Sequence, residues 1–208
     1  MALVPGGTFQ RARTASPQTL GDLCVDIVET TATEYQACVD AGKCNKQGVD
    51  CAAQATFGKP DKAKRPMVCV VFEQAESYCG YRDKRLPTTD EWEWAARSGD
   101  EARPYVWGDA KPDSQLCWAG KQKQTESCDV GSYPEDRSAQ GVLDLGGNVL
   151  EFTTTDADKS SKLRIARGGS WNSGAPELFR VARLGGFALD YRCGFLGIRC
   201  VKEAAAAR

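Results

Sequence analysis

Histidine is missing from all 208 positions of the chain. Without an imidazole there is no Ser-His or Cys-His catalytic pair, no haem ligand of the usual kind and no histidine-based iron or zinc site. An excess of one charge is missing too. The 27 basic and 28 acidic residues are spread along the sequence and leave a formal net charge of -1. No polycationic face can then release counterions from nucleic acid, and nucleic acid is not an expected partner. No apolar run suggests a membrane span. No repeat with a period of about 20 to 50 residues appears, and no charged segment leading into an apolar one marks an export signal within the chain. The C-x-x-C pair of a zinc ribbon or thioredoxin site is also absent.

What the sequence has in quantity is cysteine. Ten are present, an even number, and they are expected to form disulfides in an oxidising compartment, so the location expected is secreted, periplasmic or cell-surface. With 41% apolar residues the chain can bury one substantial core, and one domain over residues 1–208 is expected. Residues 47–64 read as a long surface loop within it.

Three helices are expected, all in the first half. Thr31-x-x-Glu34 is a capping box, after which Tyr35, Cys38, Val39 and Gly42 fall on one face. A second helix is expected over Glu73 to Tyr81, burying Ala75, Tyr78 and Cys79. A third follows Pro87 with Thr88-x-x-Glu91, carries Trp92, Ala95 and Ala96 inward and stops near Gly99. Beyond residue 100, Gly, Pro, Asp and Trp punctuate short apolar runs such as Tyr105-Val106-Trp107-Gly108-Asp109, which suit short strands and structured loops. The fold class expected is α+β, loop-rich, with little regular secondary structure and stapled by disulfides. Cys117 and Cys128 are close enough in sequence to staple their own loop. Cys38, Cys44 and Cys51 are expected to pair among themselves or with Cys24, Cys69 and Cys193.

Several segments carry a family signature in order: Leu3-Val4-Pro5-Gly6-Gly7-Thr8-Phe9, Val28-Glu29-Thr30-Thr31, Lys84-Arg85-Leu86-Pro87-Thr88, Glu91-Trp92-Glu93-Trp94-Ala95-Ala96-Arg97, Asp144-Leu145-Gly146-Gly147-Asn148-Val149-Leu150-Glu151-Phe152, Arg167-Gly168-Gly169-Ser170-Trp171 and Leu196-Gly197-Ile198-Arg199-Cys200. Through them the chain resembles the formylglycine-generating-enzyme, or sulfatase-modifying-factor, family, which is itself similar to the variable proteins of diversity-generating retroelements. The resemblance implies a C-type-lectin-like scaffold and a Cys79–Cys200 disulfide closing it. Arg85 and Arg199 are candidates for buried ion pairs with Glu93 or Glu151, since a planar guanidinium pairs well with carboxylates.

Catalytic members of that family hold copper between two cysteines just after the Gly-Gly-Ser turn, and soft Cu(I) requires thiolates. Here Ser173 stands near the first position and the second, within Trp171 to Arg180, has no cysteine. A disulfide is the expected fate of Cys193, the nearest thiol. The resemblance also implies a calcium ion on side-chain oxygens of Asp144 and Glu151 and the main-chain carbonyls of Gly147 and Val149. The alternative is that Asp144 caps the turn and Glu151 pairs with an arginine. A second calcium site of some relatives is lost, because Leu116 stands where an asparagine ligand is expected.

The function expected is a non-catalytic binding domain for a protein, peptide or glycan. Its ligand surface is drawn from Asn172, Ser173, Arg180, Arg183, Phe187, Leu189 and Tyr191, the mixture of aromatics and arginines that dominates interface hot spots. Trp171 and Phe195 are expected to be buried. Two alternatives stand beside it. One is a copper-independent enzyme of the family acting on a peptide, for instance through Ser173 with a lysine or carboxylate base. The other is a retroelement variable protein, with Asn172, Ser173, Leu184, Gly186, Phe187 and Ala188 as its variable positions.

Overall fold

The computed structural model describes residues 1–10, 16–101, 103–120, 123–157 and 162–204. Helix α1 spans Ala32–Asp40, and its capping box forms as the spacing implies: the Thr31 hydroxyl accepts from Glu34 N while the Glu34 carboxylate accepts from Thr31 N. Tyr35 and Cys38 are buried along it and Val39 is half-buried. Gly42, expected on the same inner face, is exposed instead, with φ +67°. It follows the helix in the left-handed conformation that glycine adopts without steric cost. Helix α2 spans Phe72–Tyr81 and buries Ala75, Tyr78 and Cys79. Helix α3 spans Thr89–Ala96 behind the Thr88/Glu91 capping box and buries Trp92, Ala95 and Ala96 as expected, together with Glu93 and Trp94.

Three small sheets accompany the helices. Strands β1 (Ala2–Val4), β2 (Gly7–Phe9), β3 (Gln18–Leu20) and β4 (Leu23–Val25) lie at the start of the chain. Strands β5 (Leu150–Asp156), β6 (Leu163–Arg167), β7 (Gly185–Ala188), β8 (Leu196–Gly197) and β9 (Val201–Glu203) follow α3. The sheets have the orders β1-β4-β9, β2-β3 and β7-β6-β5-β8. β5 and β8 are parallel, and every other pair is antiparallel.

β5 positions the centre of the molecule. Alternate residues of a strand face opposite sides. Leu150 and Phe152 enter an apolar cluster with Tyr35, Tyr78, Leu86 and Ile198, leaving Glu151 and Thr153, also buried, to the other face. Phe72 meets Phe152 edge-on with ring centroids 5.8 Å apart. A second cluster, built on Phe9, Trp92, Trp94 and Val106, fills the space under β1 and β4.

Four disulfides hold the loops: Cys38–Cys44, Cys51–Cys69, Cys79–Cys200 and Cys117–Cys128. Cys79–Cys200 ties α2 to the segment before β9, with Cα atoms 5.6 Å apart. Cys193, expected in a disulfide, is a buried free thiol, and Cys24 is the other free thiol among the described residues. The main chain of Cys193 lies against Cys69, whose N-H donates to the Cys193 carbonyl at 3.0 Å, but the Cys69 sulfur is already bonded to Cys51. Phe195 is half-buried where full burial was expected, whereas Trp171 is buried and donates from Nε1 to Gly194 O at 2.8 Å.

The arginine pairings need one correction. Arg199 is fully buried and its guanidinium donates twice to Glu151 Oε1, at 2.9 and 2.7 Å. Arg85 pairs with neither Glu93 nor Glu151. It bridges Glu91 and Glu203 at the surface, because its backbone pairs with Val201 at the edge of β9 and the side chain stays outside. Glu93 instead holds Arg97 at 3.3 Å and the fully buried Arg167 at 2.8 Å. The Arg167 guanidinium also lies 5.0 Å from the Trp92 ring centroid, a cation–π contact.

Candidate functional site

A turn built on Asp144 to Asn148 runs into β5. Asp144 (φ +59°) and Asn148 (φ +60°) both adopt the left-handed conformation, which short polar side chains tolerate best among L residues. Between them Gly146 and Gly147 are required by space: a Cβ on Gly146 would meet Asp136 Oδ1 at 2.6 Å, and one on Gly147 would meet Cys117 O at 2.7 Å. Asp136 accepts from the N-H groups of Gly146 at 2.9 Å and Gly147 at 2.8 Å. Asp144 Oδ2 accepts from Gly131 N at 2.6 Å. Asn148 donates to Glu29 Oε2 at 3.3 Å and accepts from Cys128 N at 2.9 Å.

Four carboxylates (Glu29, Asp136, Asp144 and Glu151) are thus buried around one guanidinium, that of Arg199. The consequence is visible in their protonation. Burial pushes Glu29 well above the usual carboxylate range, and the Asp144 charge pushes it further. Asp136 is pushed up to about 8 by burial and then by Asp144. Asp144 is itself raised by burial against the opposing Gly131 N-H. Glu29 Oε1 is buried without a hydrogen-bond partner.

A cation would relieve this excess of negative charge, so the site fits calcium in charge. In ligand supply it fits through Asp144 more than through Glu151. Glu151 Oε1 already takes two bonds from Arg199, and Oε2 takes one from Trp92 Nε1 at 2.6 Å, so about three of its four lone-pair sites are used. Among the described residues no three His, Cys, Asp or Glu side chains are grouped to hold a metal, and calcium here would depend on the carbonyls of Gly147 and Val149 as well. Glu29, Asp136 and Asn148 were not singled out from the sequence. Glu29 lies inside a quoted motif, but nothing local marks a buried acid whose partners, Asp144, Asn148, Glu151 and Arg199, are 115 to 170 residues away.

The segment after Gly169 holds no metal-binding sulfur. The Ser170 hydroxyl donates to Asn172 Oδ1 at 2.7 Å and lies 3.1 Å from the Ser173 hydroxyl, and among the described residues no lysine or carboxylate bonds Ser173. Leu178, half-buried, lies farther along the same segment. The free thiols do not substitute: Cys24 lies in β4, and the Cys193 thiol is pushed up to about 11 by burial and packs beside the Tyr191 hydroxyl.

The other expected ligand residues separate onto two faces. Phe187, in β7, and Tyr191 meet obliquely with ring centroids 5.4 Å apart, and of the three apolar ligand residues only Leu189 lines a neighbouring groove of about 520 Å³. Glu73 and Glu76 of α2 line one wall, Arg164 and Arg192 another, and Phe72 lies between, with the Arg164 guanidinium 4.9 Å from its ring centroid. Burial raises Glu76 against the attraction of Arg164. Arg180 lies elsewhere, 5.8 Å from the Tyr105 ring centroid and lining a different cleft. Arg183 is half-buried, and burial lowers its pKa.

Comparison with known proteins places these features. Residues 1–204 match the family described as the sulfatase-modifying factor enzyme 1-like domain. An inactive C-alpha-formylglycine-generating enzyme 2 of Bos taurus is 33% identical over 161 residues, covering 71% of this chain and 53% of that protein. The formylglycine-generating enzyme of Mycobacterium tuberculosis is 38% identical over 108 residues, covering 46% of this chain and 35% of its own. The chain therefore spans about half the length, or less, of these curated relatives. Among solved structures, Treponema denticola variable protein 1 superposes with a TM-score of 0.77 at 19% identity, covering 98% of this chain and 95% of that one.

Proposed function

Because the chain belongs to the sulfatase-modifying factor enzyme 1-like family and has its C-type-lectin-like fold, we propose that it is a non-catalytic member that binds a protein or peptide segment in the groove between α2 and the β7 end. The observation that carries this reading is the absence of the copper cysteines: Ser173 stands near the first position, no cysteine occurs from Trp171 to Arg180, and neither free thiol lies within that segment. The name of the Bos taurus relative supports it. The groove supplies carboxylates, guanidiniums and an aromatic floor together, which suits a chain with alternating charge and apolar side chains better than a uniformly charged polymer. The four disulfides support an oxidising location, and no helix among the described residues is long and apolar enough to cross a membrane.

The test has two arms. The protein incubated with Cu(I) and a Cys-x-Pro-x-Arg peptide should give no aldehyde by mass spectrometry, and turnover above background overturns the non-catalytic reading. Peptides selected on the protein by display should lose at least about tenfold in affinity with Leu189→Asp, which places a charge in the groove wall. Selected peptides indifferent to that change remove the groove from the proposal.

Calcium at Asp144, Glu151 and the carbonyls of Gly147 and Val149 is part of the same reading, supported by the unbalanced buried carboxylates. A ligand present at about a hundred times its Kd stabilises by about 2.7 kcal/mol, or about 5 to 10 °C for a domain of this size. Calcium should raise the melting temperature by that amount over a chelator control, and Asp144→Asn should abolish the increment. Equal melting temperatures in calcium and chelator remove the ion from the account.

A further inference from the structure

On the face that holds Arg180, two clefts share Arg103 as a common wall. The first, about 310 Å³, is lined by Arg97, Arg103 and Arg180. The second, about 460 Å³, is lined by Arg103, Trp107, Gln115, Glu135, Arg137 and Ser138. Four arginines line the pair against two glutamates, Glu93 and Glu135; Glu93 is held by Arg97 at 3.3 Å and by the buried Arg167 at 2.8 Å, and Arg103 pairs with Glu101 at 2.5 Å, which leaves Arg137 and Arg180 against Glu135. The clefts hold a positive excess on a chain whose net charge is -1. No lysine contributes to either lining. Arginine's planar fork favours bidentate pairing with oxyanions, which a lysine ammonium does not reproduce.

An aromatic column joins the two. Tyr105 stacks on Trp107 with the rings 3° from parallel and centroids 5.4 Å apart, and the Arg180 guanidinium lies 5.8 Å from the Tyr105 centroid. Trp107 is anchored by its Nε1, which donates to Ala110 O at 2.8 Å, and it is half-buried where it lines the second cleft. Beside it stand the exposed carboxylate of Glu135 and the exposed guanidinium of Arg137, planar groups that pair with vicinal hydroxyls while an aromatic face takes the ring. The side chains of Arg137, Arg180 and Glu135 make no hydrogen bond or ion pair with any other described residue, and all three are exposed, so their hydrogen-bonding capacity is available to a ligand.

From this juxtaposition we infer that the double cleft binds an acidic saccharide, its ring seated at Trp107 and its carboxylate or sulfate groups paired with Arg137 and Arg180. A single-stranded nucleic acid would use the same stacking, but it needs an extended run of phosphate contacts, and the even spread of charge in this chain does not supply one. This site is separate from the α2/β7 groove, with which it shares no lining residue.

The experiment is titration calorimetry on the full chain with four probes: a sulfated heparin hexasaccharide, a hexagalacturonate, neutral cellohexaose and an oligothymidylate. At least one acidic saccharide should bind ten times more tightly than cellohexaose. That affinity should fall at least tenfold in Arg137→Gln/Arg180→Gln and several-fold in Arg180→Lys, which keeps the charge and loses the fork. Whether the sulfated or the uronate probe binds identifies the oxyanion, and either supports the inference. It is overturned if neither acidic saccharide exceeds cellohexaose, if both variants bind like the parent, or if the oligothymidylate binds as tightly as the saccharides. Leu189→Asp, in the wall of the other groove, serves as the control that leaves saccharide affinity unchanged.

Discussion

Arg199→Met is expected to lower the melting temperature by about 6 to 20 °C. Removing one partner of a buried pair leaves the other charge uncompensated, at a cost of about 3 to 5 kcal/mol, and a domain of this size loses about 2 to 4 °C per kcal/mol. Here the cost falls at the upper end, because Arg199 faces Glu151, Glu29 and Asp144 together. Its guanidinium also satisfies Asp26 O at 2.8 Å and Leu143 O at 2.7 Å, and a methionine leaves both carbonyls without that donor. The double variant Arg199→Met/Glu151→Leu should recover part of the loss, since an apolar pair of similar size removes the unpaired charge. Arg85→Met supplies the contrast. Its pair with Glu203 is solvent-exposed and its bidentate pair with Glu91 half-buried, with 37% of the Arg85 side chain accessible, so the loss should be about 1 to 2 kcal/mol. Thermal melts of the four proteins decide the matter. An Arg199→Met protein that melts within 2 °C of the parent would show that the buried centre is held by something other than this cation.

The second large effect concerns the longest covalent loop. Cys79→Ala/Cys200→Ala should cost about 4 to 5 kcal/mol in denaturant unfolding, because Cys79–Cys200 closes a loop of 121 residues. Cys117→Ala/Cys128→Ala, which opens a loop of 11, should cost about 3 kcal/mol or less on the same scale. Both cysteines of the long bridge are fully buried among Tyr35, Tyr78 and Ile198, so alanine adds a small packing loss in the same direction. The reverse order of the two losses would mean that strain or unfolded-state structure, and not loop closure, governs the contribution of these bridges.

What the sequence discloses follows the range of the interaction. The capping boxes at Thr31/Glu34 and Thr88/Glu91 are four-residue patterns, and both helices begin where they direct. The Arg199–Glu151 pair and the Cys79–Cys200 bridge were legible through the motifs that surround them, although 48 and 121 residues separate the partners. Glu93 with Arg167 was not legible. Each lies in a quoted motif, but nothing local shows that β6 delivers Arg167 across 74 residues to the inner face of α3. Arg85 is a candidate for a buried ion pair because a planar guanidinium suits carboxylates, whereas the bridge to Val201 holds it at the rim. The ligand residues show the same limit. Residues 172 to 191 read as one surface in a linear text, but the short 3-10 turn at Pro176–Phe179 buries Phe179 against Trp118 and sends Arg180 to one face and Phe187 to another.

The three-stranded sheet has a consequence for handling this domain. β4 pairs with β1 on one side and β9 on the other, and Val25 lies opposite both Ala2 and Val201. With strands spaced by about 4.8 Å and rising about 3.3 Å per residue, Ala2 and Glu203 come within about 12 Å of each other. A segment bounded by these two strands presents both of its ends side by side, so it can be grafted into a surface turn of a host protein through short linkers. New openings are then better cut in exposed loops than in either flanking strand.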